Sequence, residues 1–258
     1  MSSNPYVAPQ PTGSDETIVL REKFVASGRT VPMGNGWSWI EGAWSIFRRA
    51  AGVWIGMALA LLGIYVVLAV LPVIGAIASL VLGPVFTAGL VIASRTIDQG
   101  GDAQFSQLFA GFKHRFGTLL AVGLLYLVGT AVIICGAALV SGLSIVGLLN
   151  ATSPEAVLAL GMTLAITLLL ALALMLPLIM AIWFAPPLVV FHELGAGEAM
   201  KASFVGCLRN MLPFLLYGFV LLVAAIIASI PFGLGWLILG PVTAASIYTA
   251  YRDIYFSD

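Results

Sequence analysis

Long stretches without a single charge constrain this chain more than anything else in it. Between Arg49 and Arg95 lie 45 residues with no Asp, Glu, Lys or Arg, between Arg115 and Glu155 another 39, and between Arg209 and Arg252 another 42. A bilayer core about 30 Å thick takes roughly 20 helical residues at about 1.5 Å each. The first and last runs therefore predict two crossings apiece. Composition agrees: of 258 residues, 61% are hydrophobic and only 9% charged, against about a quarter charged in soluble domains. In water such a chain would leave most of its surface apolar. Lipid is the solvent it suits.

Pro and Gly divide the runs. Leu71-Pro72-Val73-Ile74-Gly75 and Ile230-Pro231-Phe232-Gly233 separate paired spans, giving crossings at about 51–71, 74–94, 117–140, 156–191, 211–230 and 234–251. Residues 141–153, with Ser, Gly, Asn and Pro, read as a loop. The run over 156–191 is long for one straight span, and Pro177 and the Pro186-Pro187 pair should bend it. Charge placement requires an odd number of crossings there, so it reads as one tilted or kinked helix. The fold class expected is an all-α polytopic membrane protein: six transmembrane helices in three pairs, each pair preceded by an amphipathic interfacial helix.

Residues 1–35 are polar, with charges of both signs, and read as a disordered cytoplasmic tail. A short helix or strand over 16–26 is the one element expected in it. No apolar segment follows a basic one there, so the tail is not a signal peptide. Residues 36–258 read as a single membrane domain.

The charges fix an orientation. All eleven Lys and Arg residues (Arg21, Lys23, Arg29, Arg48, Arg49, Arg95, Lys113, Arg115, Lys201, Arg209, Arg252) flank spans on one side, and the three opposite loops contain none. Of the acids, only Glu155 falls opposite. The positive-inside rule makes the basic side cytoplasmic, with both termini there.

The chain also repeats itself. Leu82-Gly83-Pro84-Val85 recurs as Leu239-Gly240-Pro241-Val242, and without a gap Ala88 aligns with Ala245, Ala93 with Ala250, Arg95 with Arg252 and Ile97 with Ile254. The same offset sets Glu41 over Glu198 and Phe47 over Phe204. Three units at about 36–98, 103–193 and 197–256 are expected, the middle one more divergent. Each opens on an amphipathic segment. Trp37, Ile40, Trp44 and Phe47 follow helical spacing and lead to Arg48 and Arg49. Phe105, Leu108, Phe109, Phe112 and Phe116 stand beside Lys113, His114 and Arg115. Ala199, Met200, Ser203, Phe204, Cys207 and Leu208 accompany Lys201 and Arg209. Aromatic faces with basic flanks lie naturally among lipid headgroups. Trp37, Trp44, Arg48, Arg49, Phe105, Lys113, Arg115, Lys201 and Arg209 are thus the candidate lipid-interface residues. They either recognise anionic lipid or simply anchor the span entrances, and anchoring is the reading such flanks favour.

Several strings carry a family resemblance: Gly36-Trp37-Ser38-Trp39-Ile40 leading to Ile46-Phe47-Arg48-Arg49, Phe86-Thr87-Ala88-Gly89-Leu90, Leu108-Phe109-Ala110-Gly111-Phe112, Met200-Lys201-Ala202-Ser203-Phe204 with Leu208-Arg209-Asn210 and Pro213-Phe214, and Tyr251-Arg252-Asp253-Ile254. Together, over about 31–254, they resemble a family of uncharacterised proteobacterial six-span inner-membrane proteins. They are more distantly similar to the membrane domain of some glycerophosphodiester phosphodiesterases. The resemblance implies a bacterial cytoplasmic membrane and the helix-pair architecture. It implies no activity, and the chain carries no phosphodiesterase domain.

Residues with chemistry are few. The spans hold no Asp, Glu, Lys or Arg in their cores, where ion-coupled transporters place one. His192 and Glu193 do not form HExxH, and with Cys135 and Cys207 far apart they fall short of a zinc set. No GxxxxGK[ST] string occurs, and Asn150-Ala151-Thr152 is a glycosylation sequon that a bacterial setting leaves idle. No cofactor, metal or catalytic residue is expected. The two cysteines should lie at different levels of the membrane and pack rather than pair. Gly83-Pro84, Pro186-Pro187 and Gly240-Pro241 could mark broken transporter helices, although packing is the favoured account. Small residues four apart, Gly89 with Ala93 and Gly240 with Ala244, suit close helix contact within the bundle or between copies. The expected function is a non-catalytic membrane protein acting through lipid or protein contacts. A channel or carrier for a small neutral or amphipathic solute is the alternative, and an enzyme is the weakest reading. Membrane lipids, a second copy or another membrane protein are the expected partners; nucleic acid is not.

Overall fold

The computed structural model describes residues 23–257, and it is almost entirely helical. Element order is β1 (Lys23–Phe24), α1 (Asn35–Arg49), α2 (Ala51–Ala69), α3 (Pro72–Asp98), the 3-10 helix η1 (Phe105–Phe112), α4 (Phe116–Leu149), α5 (Pro154–Trp183), α6 (Ala185–His192), α7 (Ala196–Arg209), α8 (Met211–Ser229), α9 (Trp236–Tyr255) and β2 (Phe256–Ser257). Short helices α1, η1 and α7 each precede longer ones, and the short α6 follows α5. Five stretches are long and apolar enough to cross a membrane: Ala51–Ala69, Pro72–Asp98, Phe116–Leu149, Pro154–His192 and Met211–Ser229. Their outward surfaces are hydrocarbon, as with Val132, 68% exposed, and Leu169, 66% exposed. Water would not tolerate this and lipid requires it. The chain is a multi-pass membrane protein. Helix α9 falls outside the five because its Trp, Pro, Thr, Ser and Tyr residues, with Arg252 and Asp253 in its last turns, make it less apolar than those five.

Helices α3 and α9 pack together at the centre, with α1, α2, α6 and α8 around them. The residues aligned between the two central helices share one environment. Pro84 and Pro241, Val85 and Val242, Ala88 and Ala245, Ala93 and Ala250, and Ile97 and Ile254 are all buried. Both helices run through their prolines without a break. The alignment does not extend to the amphipathic helices. Ala50 ends α1 and Asn210 ends α7 with similar backbone angles, φ −141° and −118°. These junctions are 160 residues apart, whereas Pro84 and Pro241 are 157 apart. Glu41 and Glu198, and Phe47 and Phe204, are therefore three residues out of structural register, and the difference falls between the ends of α2 and α8 and the two prolines, where α9 has a longer preceding turn and a shorter first part than α3.

Two other expectations change. Residues 141–149 are not a loop: α4 continues to Leu149, leaving only 150–153 as a turn. The Ser144 hydroxyl donates to the Val140 carbonyl (2.9 Å), so serine is satisfied inside an apolar helix instead of breaking it. With 34 residues, α4 is about 51 Å long at 1.5 Å per residue, well beyond a hydrocarbon core of about 30 Å. The tail boundary at residue 35 also moves, because residues 23–34 form an ordered strap. Residues 1–22 lie outside the described residues, as does most of the element expected over 16–26; only Lys23–Phe24 of it is seen, as a strand.

The long apolar run before His192 does kink, at Phe184. Pro186 and Pro187 cannot donate to the preceding turn, and the Ser203 side chain of α7 repairs the gap. Its hydroxyl accepts from the Phe184 N–H (2.9 Å) and donates to the Met180 carbonyl (2.6 Å), the two groups that would otherwise bond each other. Pro177 leaves α5 continuous.

Candidate functional site

The buried face of α1 is set by Gly36, Trp39, Ala43, Ile46 and Phe47. Phe47 thus turns inward, away from the stripe expected for it, while Trp37 and Trp44 stay outside at 50% and 43% exposure. In η1, Leu108 points into the core and Phe105, Phe109 and Phe112 point out, continuing with Phe116 as a ladder of rings 5.5–6.4 Å apart. Trp37, Trp44 and Phe105 are therefore available to lipid, and so are the exposed side chains of Arg48, Lys113 and Lys201. The other three basic candidates also hold the fold. Arg49 donates to the Ile97 carbonyl (3.4 Å) and Arg115 to the Glu193 carbonyl (2.6 Å). Arg209 donates to the carbonyls of Ser27 and Gly28 (3.2 and 3.0 Å).

Behind this rim, at the same end of the bundle, lies a polar cluster that the sequence alone did not assemble. Asp98 ends α3 one turn after Arg95, and Tyr248 and Arg252 share a face of α9. Because α3 and α9 are neighbours, one Asp98 oxygen accepts from both the Tyr248 hydroxyl (2.9 Å) and the Arg252 guanidinium (2.5 Å). One residue on, Asp253 takes donors from the strap and α1: Arg29 (3.2 Å), Asn35 (2.8 Å) and the Trp39 indole (2.7 Å). Asn210 closes the strap from the other side. Fully buried, it accepts from the Val31 N–H and donates to the carbonyls of Arg29 and Gly206, each at 2.8 Å. Strand β1 pairs antiparallel with β2, Phe24 opposite Phe256, and stacks Phe24 on the His192 ring at 3.5 Å.

Two cavities open at this cluster. One, of about 450 Å³, lies between the ends of α3, α6 and α9 and is lined by Arg95, Asp98, Phe191, His192, Tyr251 and Arg252 among others. The second, of about 420 Å³, shares Asp98, Arg252 and Phe256 and adds Arg29, Arg49 and Asp253. His192 hydrogen-bonds the Tyr251 hydroxyl (2.5 Å). Two further grooves, flanked by α2 and α9 and by α5 and α8, are lined almost wholly by apolar side chains. Neither cysteine is in a disulfide. Burial pushes the Cys207 thiol up to about 12, so it is an inert packing group.

Comparison with protein-family models, with curated proteins and with solved structures found no match. One sequence signal did point towards the cluster: Arg95 and Arg252, aligned as repeat equivalents, line the same cavity.

Proposed function

We propose that the chain is a non-catalytic, six-span protein of a bacterial cytoplasmic membrane that acts by contact with lipid or with a protein partner at its basic end. The carrying observation is the exposed aromatic and basic rim of Trp37, Trp44, Phe105, Arg48 and Lys113, set on a bundle whose apolar grooves are lined by hydrocarbon. Such a rim seats at the headgroup level, and the spans carry no Asp, Glu, Lys or Arg in their cores, where ion-coupled transporters place one. Six crossings are supported by parity. Residues 23–24 pair with residues 256–257, so the two ends of the described chain share one side, which an odd number of crossings forbids. Counting α9 as the sixth satisfies this. The shared burial of aligned residues in α3 and α9 supports the internal repeat, and the charge split supports a cytoplasmic location for both ends. The family resemblance adds the bacterial inner membrane.

Alkaline phosphatase fused after Asp258 should be inactive, and fused after Asn150 active; activity at the C-terminus would reverse the orientation. For the contact reading, changing Lys113 to Gln should weaken retention of anionic lipid in nanodiscs about fivefold, since each juxtamembrane cation adds about 1 kcal/mol. Unchanged retention, or solute flux in proteoliposomes, would overturn it.

A further inference from the structure

The cavity between the ends of α3, α6 and α9 differs from the rim in both position and chemistry. Counting both cavities, four guanidiniums (Arg29, Arg49, Arg95 and Arg252) face two carboxylates (Asp98 and Asp253). Among the described residues two positive charges are left over. The carboxylates are already occupied, Asp98 by Arg252 and Tyr248 and Asp253 by Arg29, Asn35 and Trp39. Arg95 has no carboxylate partner among the described residues. Its guanidinium lies over the Phe191 ring, 4.8 Å from the centroid. Stacking engages the face of a guanidinium and orients it, while all five N–H donors remain in its plane. Arg252, opposite, is held in place by Asp98. Tyr248 and Tyr251, both buried, complete the wall. The result is a preoriented fork of donors beside a second guanidinium, in an opening large enough for a small molecule, at the end of the molecule that meets the aqueous phase.

We infer that this cavity is a binding site for a phosphate-type anion, with Arg95 as the residue that binds it directly and Arg252, pinned by Asp98, as the second donor. Planar donor forks match tetrahedral oxyanions two oxygens at a time. The phosphate can come from a lipid headgroup or from a soluble phosphate compound. The inference does not depend on the rim's contact with lipid; only its lipid arm shares the proposed orientation.

The test uses the full chain in a neutral detergent and in nanodiscs. Inorganic phosphate, titrated against chloride at equal ionic strength, should raise the melting temperature of the wild-type protein. Arg95→Gln should weaken that response about tenfold, as expected for loss of one charge-assisted contact, while Arg95→Lys recovers part of it. In nanodiscs, phosphatidylglycerol should be retained over phosphatidylcholine by the wild type and less so by R95Q if the source is a headgroup. A response in the phosphate arm alone assigns a soluble ligand. Arg95 is exposed, so R95Q should elute as the wild type does on size exclusion. Arg48→Gln and Lys113→Gln should leave the phosphate response intact, which separates this site from the rim. If R95Q responds as the wild type does, or if neither arm responds, the inference is overturned.

Discussion

Replacing Asn210 with Ala is expected to lower stability by about 3 kcal/mol, because each buried group left without its partner costs roughly 1–3 kcal/mol. Asn210 is fully buried at the α7–α8 junction. Its side-chain oxygen takes the Val31 N–H, and its nitrogen serves the carbonyls of Arg29 and Gly206. Ala offers none of these. The strap from Lys23 to Val31 should then loosen, breaking the Arg29–Asp253 pair with it. Unfolding of the detergent-solubilised protein measures the first effect, and faster trypsin cleavage at Lys23 and Arg29 measures the second. Arg209→Gln also removes contacts to the strap, but at an exposed position, and should cost less than about 1 kcal/mol. Equal effects for the two variants would show that burial of Asn210 does not matter.

The second large effect is steric. Helix η1 lies so close to α3 that a Cβ on Gly89 would sit 2.3 Å from the Leu108 carbonyl oxygen, and one on Gly111 would sit 2.1 Å from that of Val85. Backbone atoms on both sides cannot yield as side-chain ends do. Gly89→Ala and Gly111→Ala should each cost about 3 kcal/mol, at the upper end of overpacking penalties, and together less than the sum, since both push the same two elements apart. Gly117 and Gly136 of α4 have open space around their Cβ positions. There the change to Ala should be neutral or stabilising by up to about 1 kcal/mol. Thermal unfolding of the four variants checks the contrast; equal losses at all four sites would refute the close-approach account.

What could be read from the sequence follows a physical division. Charge-free length is a local property, so the stretches 51–71 and 211–230 were placed within two residues of α2 and α8. Residues 141–149 were misread because Ser, Gly and Asn signal turns in water. Within an apolar helix a serine can return its hydroxyl to its own backbone, as Ser144 does, and the helix goes on. The strap was missed for another reason. It has no apolar periodicity, and its order comes from Asp253 and Asn210, roughly 180 to 220 residues away in the chain. The arginine-lined cavity was invisible for the same cause: Asp98 and Arg252 each look like ordinary span flanks until α3 and α9 are packed side by side. The rim residues were legible as aromatic and basic side chains, but not the second duty of Arg49, Arg115 and Arg209 as backbone anchors.

The pairing of Lys23–Phe24 with Phe256–Ser257 also sets an order of events during biosynthesis. The strap precedes every described helix in the chain, and its partner strand follows them all. Every described helix must therefore be made before the two can meet. Until then Phe24, Arg29 and Val31 have nothing to dock against, and the apolar hairpins have only each other and the lipid. Closing the ends is therefore the last step of assembly and the most non-local one, with the entropic cost that long-range contacts carry. A protein without the Phe256–Ser257 strand would be expected to insert normally and still never latch.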